Sequence, residues 1–551
     1  MFKIFLGIVA VKVLLSFFVQ GIIIAPDEGC VIKSAQYLAN NFEYKHCSEL
    51  TNLNAGDAPF FPVVLYSVFY FLFSPVLAFK ASLIFNSVLA ASLVYPFFKI
   101  VEFFIKDERK SLYLAIALTF IPSIFLFEKA LMTEIVFAAT NVWALHFYIQ
   151  SFVGNKVRNK VAAFLLAFLG IFMRPYGFIT IVALQMNEFF GAGKRRRLLK
   201  LGALVLLTLF VGYFLKDKIA HQLSGLHVFS ILIGFWATVV RVAQSLLTGL
   251  NTLTLSTLML PFAVLIFTRG KEVKLIRVFL FTFIFLYIAI LLPRLFIDSS
   301  YPNITYSSLS ERFAVPETLF GLGRGKIIFK NLFRYFNVST ILITLFGVIS
   351  ILKYERKALG KSFVGLVLAL VAGLFFVNFG ENVYHQVISH SYLIVDSLQF
   401  IFYVLIVVAL VATGFLMKRK GDVSLKIMFV TLMIVSLLSF EYNVIRSFYR
   451  APANNEIVEL LRENEGDVLF LMRVGDMKDP VYWAANTTLA NQIDTFFYEG
   501  EEANIFRIIS IASEKYESVD VDLDQYEFVV SRLELEREKL LESAGYSVYG
   551  L

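Results

Sequence analysis

Apolar runs of about 18 or more residues recur along the chain, separated by short polar stretches. A helical run of that length crosses a bilayer core of roughly 30 Å, and residues 398–417 are a clear case. The first run, residues 1–24, contains Lys3 and Lys12 but no convincing small-residue cleavage site, so we interpret it as a retained first helix. The pattern predicts a polytopic, mostly α-helical membrane protein.

Composition strengthens this prediction. The chain is 58% hydrophobic and only 17% charged, with a mean hydropathy of +0.73. Soluble domains are typically about 45–50% apolar and about 25% charged. A soluble protein of this size could not bury so much apolar surface.

Charge is unevenly distributed along the chain. Residues 442–551 carry 21 acids and 10 bases, whereas the preceding 441 residues carry 40 bases and 21 acids. The basic surplus lies in short loops between apolar runs, which is the positive-inside pattern and not a nucleic-acid-binding patch. The clusters expected in the cytoplasm are 106–110, 155–160, 194–197, 269–277, 353–361 and 418–420.

Two apolar runs lie between the first helix and the first basic cluster. If Asp27 is outside and Lys106 inside, only one run can cross. We assign the crossing to 80–104 and interpret the proline-containing segment 59–73 as a re-entrant or surface helix. A re-entrant segment is possible only where surrounding protein shields its backbone polar groups from lipid. The first outer loop then spans 25–79.

The complete path has about 13 crossings, a cytoplasmic N-terminus, a long outer loop over 294–337 and an outer C-terminus. It divides the chain into a membrane domain, residues 1–441, and a small extracytoplasmic α/β domain, residues 442–551. The predicted elements of the second domain are helices over 454–464 and 532–542 and strands over 467–474 and 526–530.

The two cysteines, Cys30 and Cys47, both fall in the first outer loop. Oxidising conditions there permit a disulfide, which would stabilise the fold by about 3 kcal/mol. Two free thiols are the alternative.

Acidic residues at the predicted outer face are the strongest candidates for chemistry. Asp27 and Glu28 follow the first helix, and Glu134 lies in a short outer turn. Such carboxylates can act as a general base or bind a cation, and ionisable groups near the membrane are often functional. The alternatives are an ordinary helix start for the acidic pair and a snorkelling loop residue for Glu134.

Basic and aromatic candidates follow further along the chain. Arg174 precedes Pro175 at a predicted helix break, and arginine suits bidentate phosphate binding; a plain kink is the alternative. The outer loops contribute 310–313 and the glycine-rich 321–326, whose spacing is not that of a P-loop and which suits a flexible loop. Further histidines and tyrosines precede the run at 398–417: Tyr384, His385, His390 and Tyr392.

The order of these features resembles the GT-C superfamily of membrane glycosyltransferases, which includes aminoarabinose and protein O-mannosyl transferases. The resemblance rests on four features: Asp27-Glu28, the proline-led segment 57–66, Pro122 followed by Glu134, and Arg174-Pro175. It covers residues 1–190 by motif and the remainder by architecture.

The resemblance implies an inverting transfer of a sugar from a polyprenyl-phosphate carrier, on the extracytoplasmic face of the plasma (inner) membrane. Asp27 would be the general base, Glu28 its support and Glu134 the second acidic position. The implied partners are the lipid-linked donor and membrane lipids, with the acceptor undetermined. Residues implied at the donor phosphate are Arg174, Lys129, Arg312, His390 and Tyr392.

No Asp-x-Asp motif stands in the first loop. We therefore expect no metal site and no cofactor, although the resemblance leaves a divalent cation open.

Two other functions would also produce a polytopic chain. A transporter or flippase would place ionisable residues near the bilayer midplane, often in two repeated halves, whereas the polar residues here gather at one face. A polymerase or ligase of lipid-linked glycans would use a large outer loop with arginine and histidine, which 294–337 and 381–392 could supply. The transferase is the interpretation that the acidic positions favour.

Overall fold

The structure is a computed structural model, and the residues that it describes are mostly helical and form one β-sheet near the C-terminus. The residues it describes are 2–21, 27–45, 50, 59–125, 127–154, 156–174, 177–191, part of 278–286, 337–353, 430, 444, 456–464, 467–473, 493–499, 504–510, 515–518, 522–533, 535, 537–543 and 546–550. The chain forms two compact units. The first comprises Met1–Ser92, Leu126–Val136 and Phe440–Leu551, and the second comprises Leu93–Phe125 and Phe137–Ser439.

The helices of the first half follow the predicted apolar runs. They are α1 (Phe2–Ser16), α2 (Asp27–Asn41), α3 (Phe60–Leu72), α4 (Pro75–Ser92), α5 (Val94–Ile105), α6 (Glu108–Thr119), α7 (Pro122–Phe125), α8 (Thr133–Gln150), α9 (Lys156–Met173) and α10 (Phe178–Gly191). A 3₁₀ turn, Phe127–Lys129, lies between α7 and α8, and α11 (Asn337–Lys353) follows later in the chain.

Local chemistry explains several helix boundaries. Asp107 caps α6, because its side chain accepts a hydrogen bond from the backbone N–H of Lys110 at 3.0 Å. Lys106, with φ of 58°, ends α5 in the left-handed conformation that often closes helices. The predicted break at Arg174 is confirmed, since α9 ends at Met173 and α10 begins at Phe178.

In the first unit, α1 packs against α4, α2 packs against α3, and α4 contacts the Phe127–Lys129 turn. In the second unit, α5 packs against α6 and α11, and α9 packs against α10.

One helical stretch of the described residues, Pro75–Ile105, is long and apolar enough to cross a membrane. A second is counted if Glu108–Thr119 and Ser123–Lys129, bent by 53°, form one broken span. The helix over Phe60–Leu72 is shorter, and at about 1.5 Å per residue it falls short of a bilayer core. These lengths agree with the assignment of the crossing to 80–104, while the count of about 13 crossings and the division at residue 441 stay predictions.

The tail contains helix α12 (Glu456–Glu463) and a seven-stranded mixed sheet. Its strands are β1 (Val468–Arg473), β2 (Ile493–Glu499), β3 (Asn504–Ser510), β4 (Lys515–Ser518), β5 (Phe528–Ser531), β6 (Lys539–Ser543) and β7 (Tyr546–Gly550). The strand order is β4-β3-β2-β1-β5-β7-β6, with β1 parallel to β2 and β5 and the other pairs antiparallel. A small core of Leu469, Val529 and Tyr549 packs on this sheet.

The predicted helix over 532–542 is wrong. The chain bends after β5, and Lys539–Ser543 forms the edge strand β6, antiparallel to β7. The mixture of leucine and charged residues in this segment is compatible with a helix or a strand. Its hydrogen bonding to β7 stabilises the strand. The predictions for 454–464, 467–474 and 526–530 are confirmed as α12, β1 and β5.

Candidate active site

The acidic pair lies at the beginning of α2, as the sequence predicts. Asp27 is the first helical residue; the placement of its side chain lies outside what the structure describes. The Glu28 side chain is fully buried, and its Oε1 accepts a hydrogen bond of 2.8 Å from the backbone N–H of Leu131. This bond fixes the start of α2 to a turn more than 100 residues later in the chain.

That turn, Ala130–Met132, is held from two further helices of the same unit. Asn86 of α4 donates its amide N–H to the Ala130 carbonyl at 3.0 Å. The Tyr66 hydroxyl of α3 lies 2.9 Å from Asn86 Oδ1 and 3.1 Å from the Met132 carbonyl, so its single hydrogen serves both acceptors. The turn immediately before α8 is therefore fixed by side chains.

Glu134 lies in the first turn of α8 and is buried. The Thr133 hydroxyl donates to its Oε2 at 3.4 Å. Tyr66 contacts the same turn through the Met132 carbonyl. The structure thus brings two of the predicted acidic residues, Glu28 and Glu134, to the turn that precedes α8.

Tyr66 and Tyr70 are separated by four positions, so they project from the same face of α3. The Tyr70 hydroxyl is buried and, among the described residues, meets no hydrogen-bond partner. Buried hydroxyls are usually hydrogen-bonded, so Tyr70 is a residue to test for a role in ligand binding.

A second cluster of charges lies beside the turn. Lys12 Nζ of α1 donates to Glu128 Oε2 at 2.5 Å, and both side chains are fully buried. Lys129 Nζ lies 3.0 Å from Glu128 Oε1. Two lysines therefore share one carboxylate.

Lys129 also donates to three neutral acceptors: the Lys12 carbonyl at 2.6 Å, Ser16 Oγ at 2.9 Å and Ser87 Oγ at 3.1 Å. An ammonium group has three hydrogens. The acceptors inside the protein occupy all of them, which leaves Lys129 no donor for a phosphate.

Arg174 belongs to the second unit, where it directly follows α9 and is buried. Its backbone N–H donates to the Gly170 carbonyl at 3.1 Å, and its carbonyl accepts from Gly177 at 2.8 Å. The other residues implied at the donor phosphate, Arg312, His390 and Tyr392, lie outside the described residues.

Cys30 is fully buried in α2 and is disulfide-bonded. The sequence contains one other cysteine, Cys47, which lies outside the described residues. In the part of the chain that the structure describes, no group of three or more His, Cys, Asp or Glu side chains could hold a metal ion.

Sequence reasoning did not select Lys12, Tyr66, Tyr70, Asn86 and Glu128 as site residues. Two signals could have found some of them. Lys12 is a charge within an apolar helix, which is costly unless paired. Tyr66 and Tyr70 have helical spacing within a short apolar segment that the topology excludes from crossing.

No protein-family model matches the sequence, and no curated protein matches it significantly. A crystal structure of ArnT from Cupriavidus metallidurans bound to undecaprenyl phosphate superposes with a TM-score of 0.50 at 13% identity, covering 99% of this chain and 97% of that one. The same protein in its apo state gives a TM-score of 0.44 at 12% identity, covering 99% and 96%.

The likeness to the lipid-bound ArnT structure extends over the whole chain and shows a shared fold. The fold predicted from the sequence motifs is in this respect confirmed.

Proposed function

We propose, from the fold shared with ArnT, that this chain is a membrane glycosyltransferase that moves a sugar from a polyprenyl-phosphate donor to an acceptor on the extracytoplasmic face of the membrane. The solved neighbour holds undecaprenyl phosphate, which supports a lipid-phosphate donor for this chain. The apolar composition and the spanning helix Pro75–Ile105 support the membrane location.

The observation that carries the proposal is the bond between Glu28 and the Leu131 N–H. It places the acidic start of α2 beside the turn that leads to Glu134, in one compact unit. Two carboxylate positions far apart in sequence thereby lie at one buried turn, which Tyr66 also contacts.

In this proposal Asp27 is the general base. Its carboxylate takes the proton from the acceptor, whose freed lone pair attacks the anomeric carbon from the face opposite the phosphate. The bond between the anomeric carbon and the phosphate oxygen breaks, the configuration inverts, and polyprenyl phosphate leaves with the bond electrons. Glu28 fixes the position of the start of α2. The Glu134 carboxylate stabilises the positive charge that develops on the sugar as its bond to the phosphate breaks.

The leaving phosphate needs cationic partners. Arg174 is the proposed phosphate ligand within the described residues, and Arg312, His390 and Tyr392 are proposed alongside it. Lys129 takes no part, because its hydrogens are engaged by acceptors within the protein. We propose no metal in this reaction.

The test uses purified protein in nanodiscs, a panel of undecaprenyl-phosphate sugars, and membrane extract as the acceptor source. The measurement is release of undecaprenyl phosphate by mass spectrometry. Wild-type protein is expected to release it from at least one donor, and Asp27→Asn is expected to release none while inserting and purifying normally.

Asp107→Asn is the matched control. Asp107 also stands at a helix start, and asparagine caps helices about as well as aspartate. Release by Asp27→Asn at the wild-type rate would overturn the role of Asp27. No release from any donor would overturn the transferase itself and favour a transporter.

A further inference from the structure

A cavity of about 400 Å³ opens in the second unit. Its lining comes from α5, from the end of α8 and from the residues that follow. Polar and apolar side chains contribute to it, including Tyr95, Lys99, Glu102, Gln150, Val153 and Asn159.

The predicted topology places this cavity at the cytoplasmic end of the helices. Three of its lining residues, Phe103, Val153 and Asn159, lie within three positions of or inside two basic clusters, 106–110 and 155–160, which mark cytoplasmic loops. The candidate active site is predicted at the opposite, extracytoplasmic end. The cavity is therefore a separate feature.

Its electrostatics favour an anion. Lys99 Nζ donates a hydrogen bond to Glu102 Oε2 at 2.8 Å, so the acidic residue of the lining is already in an ion pair. This bond uses one of the three hydrogens of the lysine ammonium group. The two chain segments that supply the lining, 95–103 and 146–159, carry three bases and one acid. Gln150 and Asn159 add side-chain amides to the lining.

The rim has the character of a membrane interface. Tyr95 stacks on Trp143 with ring centroids 5.8 Å apart, and tyrosine and tryptophan are enriched at headgroup level. Tyr95 is 42% exposed and Val153 is 66% exposed, so apolar surface borders the polar cavity. Acyl chains can cover such surface while a headgroup occupies the polar part.

We propose that this cavity binds the phosphate headgroup of an anionic phospholipid from the cytoplasmic leaflet, with Lys99 as the principal cation. Basic pockets on the cytoplasmic side of membrane helices commonly hold such headgroups. The proposal rests on the membrane orientation of the chain but not on the transferase reaction. It is therefore tested without measuring transfer.

The experiment titrates delipidated protein in detergent with dioleoylphosphatidylglycerol or dioleoylphosphatidylcholine, and native mass spectrometry measures the affinity of the first bound lipid. Wild-type protein is expected to prefer phosphatidylglycerol. Lys99→Gln is expected to lower the affinity for phosphatidylglycerol by about fivefold, because one cation near a charged surface contributes about that much to binding. Lys110→Gln is its control, because Lys110 also pairs with an acid three positions away but does not line the cavity.

A second pair of variants guards against misfolding of Lys99→Gln. Val153 and Val157 are both exposed valines, and only Val153 lines the cavity. Val153→Asp is expected to repel the headgroup and to lower the affinity for phosphatidylglycerol by a similar factor. Val157→Asp is expected to bind this lipid with the affinity of the wild type.

Equal affinity for the two lipids, or equal losses in test and control variants, would overturn the proposal. Displacement of phosphatidylglycerol by inorganic phosphate at the same concentration would also overturn it, by identifying a site for free phosphate. None of these results bears on release of undecaprenyl phosphate, so the proposed function would stand or fall separately.

Discussion

Lys12 and Glu128 form a fully buried ion pair, with 2.5 Å between Nζ and Oε2, although 116 positions separate them in the sequence. The pair joins the first helix to the turn that precedes α8. Lys129 Nζ lies 3.0 Å from the other oxygen of the same carboxylate, so Glu128 is the counter-ion of two lysines. Its carboxylate therefore compensates two buried positive charges.

Glu128→Gln keeps the size of the side chain but leaves two buried ammonium groups without their carboxylate. Breaking a buried ion pair typically costs about 3–5 kcal/mol, because the remaining charge has lost its compensation. We expect a loss of unfolding free energy of that order, measured by denaturation of the protein in detergent.

Glu102→Gln is the matched control for that loss. Glu102 bonds Lys99 at 2.8 Å, but both side chains are about one-third exposed. Such pairs contribute about 0–1 kcal/mol. Equal stability losses in the two variants would contradict the special role of Glu128.

Tyr66→Phe and Tyr70→Phe form a second matched pair on the same face of α3. The Tyr66 hydroxyl bonds Asn86 and the Met132 carbonyl, and its removal leaves buried polar groups unsatisfied at a cost of about 1–3 kcal/mol. The Tyr70 hydroxyl has no such partner among the described residues. Thermal denaturation should therefore show a lower Tm for Tyr66→Phe and an unchanged or higher Tm for Tyr70→Phe.

Variants of the same two tyrosines distinguish an effect on thermal stability from an effect on activity. If the Tyr70 hydroxyl binds substrate, Tyr70→Phe should slow release of undecaprenyl phosphate while keeping its thermal stability. A drop in Tm as large as that of Tyr66→Phe would instead show that Tyr70 is a structural hydrogen-bonding residue.

Gly177→Ala tests the close approach of α9 and the start of α10. A Cβ at this position would overlap the backbone carbonyl of Gly170, which cannot move aside as a side chain can. Overpacking of this kind typically costs about 1–3 kcal/mol. Gly154→Ala is the control, since its nearest atoms lie at an ordinary 3.7 Å. A thermal melt of Gly177→Ala that matches that of Gly154→Ala would contradict the close contact.

The disulfide at Cys30 gives a chemical test of the first loop. We predict that Cys47 is the partner, since the sequence offers no other cysteine. Peptide mapping without reductant should recover the linked pair, and Cys30→Ser and Cys47→Ser should each lower stability by about 3 kcal/mol. Alkylation of both thiols in unreduced protein would refute the pairing and weaken the outer placement of this loop.

The sequence predicted the elements whose formation depends on local chemistry. The helix break at Arg174 follows from the proline after it, and Phe60–Leu72 and Pro75–Ile105 follow from the extent of each apolar run. The charged segment 532–542 is the exception, because its residues suit helix and strand alike and β7 determines the outcome.

By itself, then, the sequence determined the membrane class, the limits of the early helices and the acidic positions at Asp27, Glu28 and Glu134, since hydrophobic periodicity and single charges are local properties. Only the tertiary structure decided that Glu28 holds the Leu131 N–H, that Lys129 is engaged by Lys12, Ser16 and Ser87, and that Glu128 neutralises Lys12. A buried charge must find a partner, but sequence does not specify which one. Packing of distant helices makes that choice.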